Sequence, residues 1–217
     1  MKSFLVFAAM LALTACAAPS ATPEFAFTAG NQGMGLLVGS LSTDDPGNYF
    51  SQDVNVFFAP EKGSKGPDAS VTLNDHCKAS GMEGLPDFKQ PCGRLFALVM
   101  SPGNYQLNYW NIVDAGGGVV EPGNWNPAKF TIQAGKVTYV GNIHMVFDPT
   151  LPGGGPADWR GWPKASDMHE RDIAFLLKKY PHLQQGDVTL GVLALDPPSG
   201  LCNSGNLGTI TLTFCGK

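Results

Sequence analysis

The sequence is poor in charged residues and has no run of basic residues. Lysine and arginine together number 14 against 18 aspartate and glutamate residues, and the formal net charge is -4. Proteins that hold nucleic acid present a basic patch or stripe to the phosphates. The composition therefore excludes nucleic acid as an expected partner, and it offers no polybasic segment that would attach the chain to anionic lipid.

The signatures of several catalytic classes are also absent. The chain has no Gly-x-Ser-x-Gly nucleophile elbow. Its four histidines are His76, His144, His169 and His182. No two of them stand at the His-x3-His spacing of a zinc site. The glycine-rich segment at 30–35 precedes a predicted strand, so it lacks the helix N-terminus that would hold a phosphate. We therefore expect neither a cofactor nor a metal, and a protein that is not an enzyme.

A short apolar run opens the chain, from Phe4 to Leu13 behind the single cation Lys2. It is too short to span a hydrocarbon core of about 30 Å, which needs roughly 20 residues, and it is typical of an export signal. The segment Leu13-Thr14-Ala15-Cys16 resembles the lipobox of bacterial lipoproteins, in which an aliphatic residue and two small residues precede a cysteine. The resemblance implies that residues 1–15 are a signal peptide and that Cys16 is lipidated.

The chemistry of Cys16 agrees with this resemblance. Its thiol is the side chain of the segment that can form a thioether with a lipid. A single acyl chain anchors weakly, at about 0.8 kcal/mol for each buried methylene, and the two or three chains of a lipoprotein cysteine anchor stably. The alternative is an ordinary secretory signal cut after Ala17. Because aspartate does not follow the cysteine, the resemblance implies an outer-membrane location in a double-membraned host.

Assigning Cys16 to lipid leaves an even number of cysteines. They are Cys77, Cys92, Cys202 and Cys215. An even set in an oxidising compartment indicates disulfides. We favour the pairs Cys77–Cys92 and Cys202–Cys215, because each brackets one compact segment, and each loop would contribute about 3 kcal/mol in the chain-entropy model. Asp75, His76 and Cys77 are a dense cluster of metal-ligand types, but a cysteine in a disulfide cannot bind metal, so we favour an exposed loop there.

Alternating apolar and polar residues predict a mainly β protein. Few charges together with 27 glycines and 17 prolines are typical of short strands joined by tight turns. Seven strands are predicted, at 35–42, 49–58, 69–73, 94–100, 105–110, 129–133 and 137–147. They predict an antiparallel, immunoglobulin-like sandwich over residues 25–150.

The segments on either side of the sandwich have different patterns. Residues 16–24 are predicted to be a short lipidated tether. Residues 151–217 are predicted to contain a breaker-rich linker at 151–164, one docked helix and a disulfide-clamped hairpin. Asp167 and Glu170 predict a capping box at the start of the helix. The hairpin strands are expected at 187–195 and 208–214, clamped by the bond between Cys202 and Cys215.

Two further resemblances bear on the fold. The segment LVMSPGNYQL at 98–107 looks like the Pro-Gly-x-Tyr-x-Leu strand pair of transthyretin-like and carboxypeptidase-regulatory-like domains, which implies a transthyretin-like sandwich. The segments GLLVGSLS at 35–42, AGKVTYVGNI at 134–143 and RDIAFLLKKYP at 171–181 resemble a family of uncharacterised bacterial lipoproteins. That resemblance implies no catalytic residue.

The tryptophans are the candidate ligand-binding residues. Trp125, Trp159 and Trp162 lie in loops rich in glycine, proline and asparagine, and Trp110 falls on the predicted outer face. Exposed aromatic rings would stack on sugars or contact a protein; the alternative is that each ring covers a sandwich edge or the helix. We expect a lipid-anchored envelope protein that is a non-catalytic binding or structural module. The alternatives are an envelope enzyme acting on glycan or peptide, and an accessory subunit of an envelope complex.

Overall fold

The computed structural model describes residues 18–28, 31–43, 52–74, 87–89, 91–114, 118–147, 161–196, 201–207 and 210–215. These residues form two β-sheets and one α-helix, so the predicted mainly β class is confirmed. Within the same ranges, no helix is long and apolar enough to cross a membrane.

Thirteen strands are present among the described residues. In chain order they are β1 (Gly35–Thr43), β2 (Gln52–Pro60), β3 (Ala69–Asn74), β4 (Phe88–Lys89), β5 (Cys92–Met100), β6 (Gly103–Asp114), β7 (Val119–Pro122), β8 (Ala128–Ile132), β9 (Val137–Phe147), β10 (Gly161–Ser166), β11 (Val188–Leu190), β12 (Leu201–Leu207) and β13 (Ile210–Cys215). Helix α1 spans His169–Lys179. The described part of residues 25–150 contains nine strands where about seven were predicted, because β4 and β7 are too short to show a pattern, and β10 lies in the predicted linker.

The first sheet has the order β10-β9-β1-β5-β4, and β11 pairs with β9 on the edge that β10 also uses. Strand β1 is antiparallel to β5 but parallel to β9, and β11 is also parallel to β9. The predicted wholly antiparallel arrangement is therefore wrong for this sheet. The chain passes from β8 in the other sheet to β9, so no hairpin dictates the direction of β9 relative to β1, and alternation alone carries no information on direction.

The second sheet is antiparallel throughout, in the order β13-β12-β7-β6-β2-β3. Strand β6 pairs with β2 along one edge, and its other edge pairs first with β8 and then with β7. The register between β2 and β6 shifts between Phe57 and Phe58, which leaves Asn108 of β6 without an opposite residue. This β-bulge inverts the inward and outward alternation along β6.

Side chains from both sheets meet in one core. It includes Leu37, Leu41, Leu98, Met100 and Ile143 from the first sheet and Val56, Phe58, Tyr105, Leu107 and Trp110 from the second. A second cluster lies between the outer face of the first sheet and α1, and it includes Leu36, Val38, Tyr139, Ile173 and Leu176. Strand β1 is buried on both faces for this reason. The predicted docking of the helix on the β-sheets is confirmed.

The helix begins without the predicted capping box. Met168 occupies the N-cap position, and its side chain makes no capping hydrogen bond. The Asp167 Oδ1 atom instead accepts a hydrogen bond from the backbone N–H of His169 at 3.0 Å, and it lies 2.8 Å from Nδ1 of the same histidine. Glu170 is exposed. The short bond between Asp167 and His169 satisfies one of the free N–H groups of the first turn.

Residues 18–21 lie along an edge of β5. The Ala21 N–H donates to the carbonyl of Ala97 at 2.8 Å, and the Val99 N–H donates to the carbonyl of Pro19 at 2.9 Å. The segment thereby pairs backbone groups of β5 that would otherwise form a free edge. The prediction of a tether over 16–24 is wrong for this stretch, because its small and polar residues do not reveal that a strand edge is open to receive the backbone.

The hairpin consists of β12 and β13, and the prediction of its first strand at 187–195 is wrong, because β11 lies in that segment and pairs with β9. The cysteines are described in part. Cys92 is buried at the start of β5 and is disulfide-bonded. Cys77, its predicted partner, lies outside the described residues, as do Asp75 and His76. Cys202 and Cys215 lie directly opposite each other in the register of β12 and β13. The two disulfide pairings stay predictions.

Candidate functional site

A row of polar side chains crosses the outer face of the first sheet beside α1. Ser40 and Ser42 come from β1, and Asn142 and His144 come from β9. The parallel register places Ser40 opposite Asn142 and Ser42 opposite His144. Because side chains two residues apart in a strand share a face, the four form one continuous polar strip. Tyr139 of β9, with Arg171 and Asp172 of α1, joins the strip to the helix.

Asp172 is the centre of this network and is fully buried. Its Oδ2 atom accepts hydrogen bonds from the Ser40 hydroxyl at 2.7 Å and from the Tyr139 hydroxyl at 2.8 Å. Its Oδ1 atom accepts a hydrogen bond from Nε of Arg171 at 2.8 Å and lies 2.8 Å from Nη2 of the same residue. A buried carboxylate needs both a countercharge and hydrogen-bond donors, and Asp172 has both.

The remaining polar groups near Asp172 also have hydrogen-bond partners. The Arg171 guanidinium donates from Nη2 to Oγ of Ser40 at 3.0 Å, and its carbon lies 3.9 Å from the centre of the Phe88 ring, a cation–π contact. The Nδ2 atom of Asn142 donates to Oγ of Ser40 at 2.7 Å. The Tyr139 hydroxyl accepts from the backbone N–H of Met168 at 3.3 Å. These bonds fasten the first turn of α1 to two strands.

Ser42 and His144 form a serine–histidine contact at the far end of the strip. Oγ of Ser42 lies 2.9 Å from Nδ1 of His144 and 3.1 Å from Oδ1 of Asn142. A serine beside a histidine is part of the arrangement that activates a nucleophile. The Ser42 side chain is fully buried, however, so a substrate cannot reach its oxygen in this conformation. The contact therefore ties β1 to β9 and does not form an open active site.

Tyrosine hydroxyls hold their protons tightly in this structure. Burial, and then the negative charge of Asp172, raise the pKa of Tyr139. Burial and the hydrogen bond to Glu121 raise the pKa of Tyr109 to about 12. Burial also raises the pKa values of Tyr105 and Tyr180. Because the folded state binds these protons more tightly than the unfolded state, their contribution to stability is complete below the usual pKa near 10. It is lost as the pH rises through the raised pKa values, which for Tyr109 is about 12.

We expect the native protein to ionise far fewer tyrosines than the unfolded protein at about pH 11. The chain has five tyrosines, and four of them have raised pKa values. Tyrosinate absorbance in the near ultraviolet, read immediately after a rapid pH jump, should be clearly lower for the native protein than for the protein in urea. Tyr109→Phe should remove a step near pH 12. Four tyrosines titrating near pH 10 in the native protein would contradict the raised pKa values.

The structure places the tryptophans differently from the sequence prediction. Trp110 is fully buried in the core, and its ring meets that of Trp125 edge-on at 6.3 Å between centres. The predicted outer-face position of Trp110 is wrong because the bulge at Asn108 turns it inward. Trp125 is half-buried and its indole N–H donates to the carbonyl of Leu107 at 3.3 Å. Trp162 is half-buried against the same core, and Trp159 lies outside the described residues.

A groove of about 260 Å³ lies between α1 and strands β4 and β5. It is lined by Asp87, Leu95, Phe175, Lys178 and Lys179. The Phe175 ring is partly exposed and meets the Phe88 ring edge-on, while the Asp87 carboxylate accepts a hydrogen bond from the backbone N–H of Leu95 at 2.8 Å. The groove offers an apolar floor beside two cations. In the sequence, the one indication of this groove is Phe175, an aromatic residue of α1 that lies outside the buried stripe.

Metal ligands do not converge in the part of the chain that the structure describes. No group of three or more histidine, cysteine, aspartate or glutamate side chains there is placed to hold an ion. The predicted cluster of Asp75, His76 and Cys77 lies outside that part.

The sequence alone does not predict the polar network around Asp172. Its residues come from three separate segments, and only the parallel pairing of β1 with β9 and the docking of α1 bring them together. A usable signal was present in β1 and β9, where serines, asparagine and histidine interrupt otherwise apolar strands at alternate positions.

The fold and the network define a mainly β protein of two sheets, with a helix fastened by buried polar contacts to the outside of one sheet. Comparison of the chain with protein-family models, with curated proteins and with solved structures finds no match. The resemblance to bacterial lipoproteins therefore stays a prediction from the residues quoted above.

Proposed function

We propose that this protein is a lipid-anchored cell-envelope lipoprotein with a non-catalytic binding or structural role. The observation that carries the proposal is the segment Leu13-Thr14-Ala15-Cys16 behind a short apolar run. Acyl chains on Cys16 would hold the protein at the outer membrane, where an envelope protein or a glycan is the expected partner.

The buried polar side chains form hydrogen bonds within the protein, and this supports a non-catalytic role. Asp172, Ser40 and Asn142 form hydrogen bonds to one another and to their neighbours, and Ser42 is fully buried beside His144. A catalytic group must instead reach its substrate within hydrogen-bond distance. Trp125 and Trp162 keep some exposed surface and remain the candidate contact residues for a glycan or a protein.

We also propose a sandwich type and disulfide pairings for this fold. Two packed sheets and the Pro102-Gly103 turn at the start of β6 support a transthyretin-like or immunoglobulin-like sandwich. The direct opposition of Cys202 and Cys215 supports a disulfide within the β12–β13 hairpin. Cys77 is proposed as the partner of Cys92.

The anchor is tested by the intact mass of the mature protein made in a double-membraned bacterial host. We expect a chain that begins at Cys16, carries acyl chains and sediments with membranes. Cys16→Ser should abolish the acyl mass and release the protein from the membrane fraction, because serine offers no thiol for the thioether. Ala17→Ser is the matched control and should leave lipidation intact. An unmodified chain that begins at Ala18 would overturn the proposal.

A further inference from the structure

The position of residue 18 limits how far the protein can stand from its anchor. Only Ala17 separates Cys16 from Ala18. An extended chain advances about 3.6 Å per residue at most, so the α-carbons of Cys16 and Ala18 lie within about 7 Å of each other. If Cys16 carries acyl chains, as proposed above, the surface around Ala18 must lie at the level of the lipid headgroups.

Ala18 is held firmly on the body of the protein. Its backbone N–H donates to the carbonyl of Asp68 at 3.0 Å, and its side chain packs against the core shared by the two sheets. The two residues that follow pair with β5, where Ser20 lies opposite Leu98. Ala18, the first residue that the structure describes, therefore lies beside the loop at 61–68 that joins β2 to β3.

Three turns surround this point and form one end of the molecule. The loop at 61–68 approaches the turn at 101–102, since Gly66 lies against the Tyr105 hydroxyl, which donates to the carbonyl of Ser101 at 3.0 Å. The turn at 133–136 joins the same end, because Gly35 lies against the carbonyl of Gln133 and pairs with Met100, the last residue of β5. We call these three turns the anchor end.

Lysines outnumber acids at the anchor end. Lys62 and Lys65 are exposed in the loop at 61–68, and Lys136 is half-exposed in the turn at 133–136. Glu61 is bridged to Lys129 at 3.2 Å, which leaves Asp68 as the exposed acid of that loop. This is a local excess of positive charge in a chain whose net charge is -4. Lysines close to an anionic bilayer are attracted to its surface.

We propose that the anchor end rests directly on the membrane, with Lys62 and Lys65 against anionic phospholipid headgroups. The inference rests on the proposed lipidation of Cys16, and it adds the surface that contacts the bilayer and the orientation of the protein. Strands β1 and β9 then extend away from the membrane, and Lys164 of β10 lies at the distant end, opposite His144 in the register with β9.

Lysine labelling tests this orientation. The lipidated full-length protein is reconstituted in vesicles of phosphatidylethanolamine with a minor fraction of phosphatidylglycerol. A membrane-impermeant acetylating reagent is added, and the rate at each lysine is read by peptide mass spectrometry, with exposed Lys164 as the internal reference. Relative to Lys164, we expect Lys62 and Lys65 to react at least about fivefold more slowly than in soluble Cys16→Ser protein, because the bilayer covers them.

A variant with a longer tether is the matched control. Insertion of about twenty glycine and serine residues between Ala17 and Ala18 keeps the lipid and the fold but lets the body leave the surface, so the labelling ratio should return to that of the soluble protein. Equal labelling of Lys62 and Lys65 in lipidated wild type and in soluble protein would overturn the orientation alone. An intact mass without acyl chains at Cys16 would overturn the proposed function, and this inference with it.

Discussion

Replacing Asp172 by alanine should lower the free energy of unfolding by about 3–5 kcal/mol, the usual cost of removing one partner from a buried ion pair. The carboxylate is fully buried and accepts hydrogen bonds from Ser40, Tyr139 and Arg171. Its loss would leave the guanidinium of Arg171, whose side chain is three-quarters buried, without its countercharge. Two hydroxyl groups would also lose their acceptor, and each unsatisfied buried donor is costly.

Urea denaturation followed by circular dichroism would measure this loss. Glu170→Ala is the matched control, since Glu170 is an exposed acid in the same helical turn, and it should change stability only slightly. Asp172→Asn should also destabilise the protein, because an amide offers one acceptor oxygen where the network supplies donors from several sides. If Asp172→Ala lost no more unfolding free energy than Glu170→Ala, the stabilising role assigned to the buried Asp172 carboxylate would be contradicted.

The same network should show strong coupling between its members. In a double-mutant cycle, Ser40→Ala and Asp172→Ala together should destabilise by clearly less than the sum of the two single changes, because each already breaks the same hydrogen bond. If the two losses of unfolding free energy were additive, the 2.7 Å hydrogen bond between Ser40 and Asp172 would contribute little to stability.

Trp110→Ala should cost about 3–5 kcal/mol of unfolding free energy, the range for removing a large aromatic side chain from a core. Trp110 is fully buried among residues from both sheets and meets Trp125 edge-on. Alanine would leave a large cavity there, and Trp125 would lose its aromatic partner. The change therefore tests the inward position that the bulge at Asn108 imposes.

Trp110→Phe is the control because it keeps an aromatic ring in the same place, and its loss should be clearly smaller. The neighbouring Tyr109→Phe, on the opposite side of β6, should remove only the hydrogen bonds of the hydroxyl, which are to Glu121 and Asn111. Denaturation monitored by circular dichroism separates these variants. A Trp110→Ala protein of wild-type stability would show that the ring is on the surface, as the uninterrupted alternation of the sequence predicts.

The strands and the helix were largely readable from the sequence because their patterns are local. The predicted strands at 35–42, 69–73 and 137–147 end within one residue of β1, β3 and β9. The helix was predicted from its apolar stripe and from the acidic first turn and basic last turn, and it spans 169–179. Strand β10 was missed because Gly161 and Pro163 interrupt any alternation, and it exists only because β9 has a free edge for it.

The candidate site depended on contacts that no local pattern contains. Asp172 was one of the acids in a first helical turn, where an exposed side chain interacting with the helix dipole is the ordinary interpretation. Its burial follows from the position of Tyr139 and Ser40 beneath the helix. At the anchor end, Lys136 is likewise far in the sequence from Lys62 and Lys65, and the turns of the fold bring the three together.

The sequence by itself determined the secondary structure class and the buried stripe of the helix, because each depends on the order of neighbouring residues. The export signal with Cys16 stays a prediction from the same kind of local pattern. The tertiary structure alone decided four features. They are the parallel pairing of β1 with β9, the inward turn of Trp110, the burial of Asp172 and the docking of residues 18–21 on β5. Each depends on which backbone or side-chain groups of distant segments remain to be paired, and that is known only when the strands have assembled.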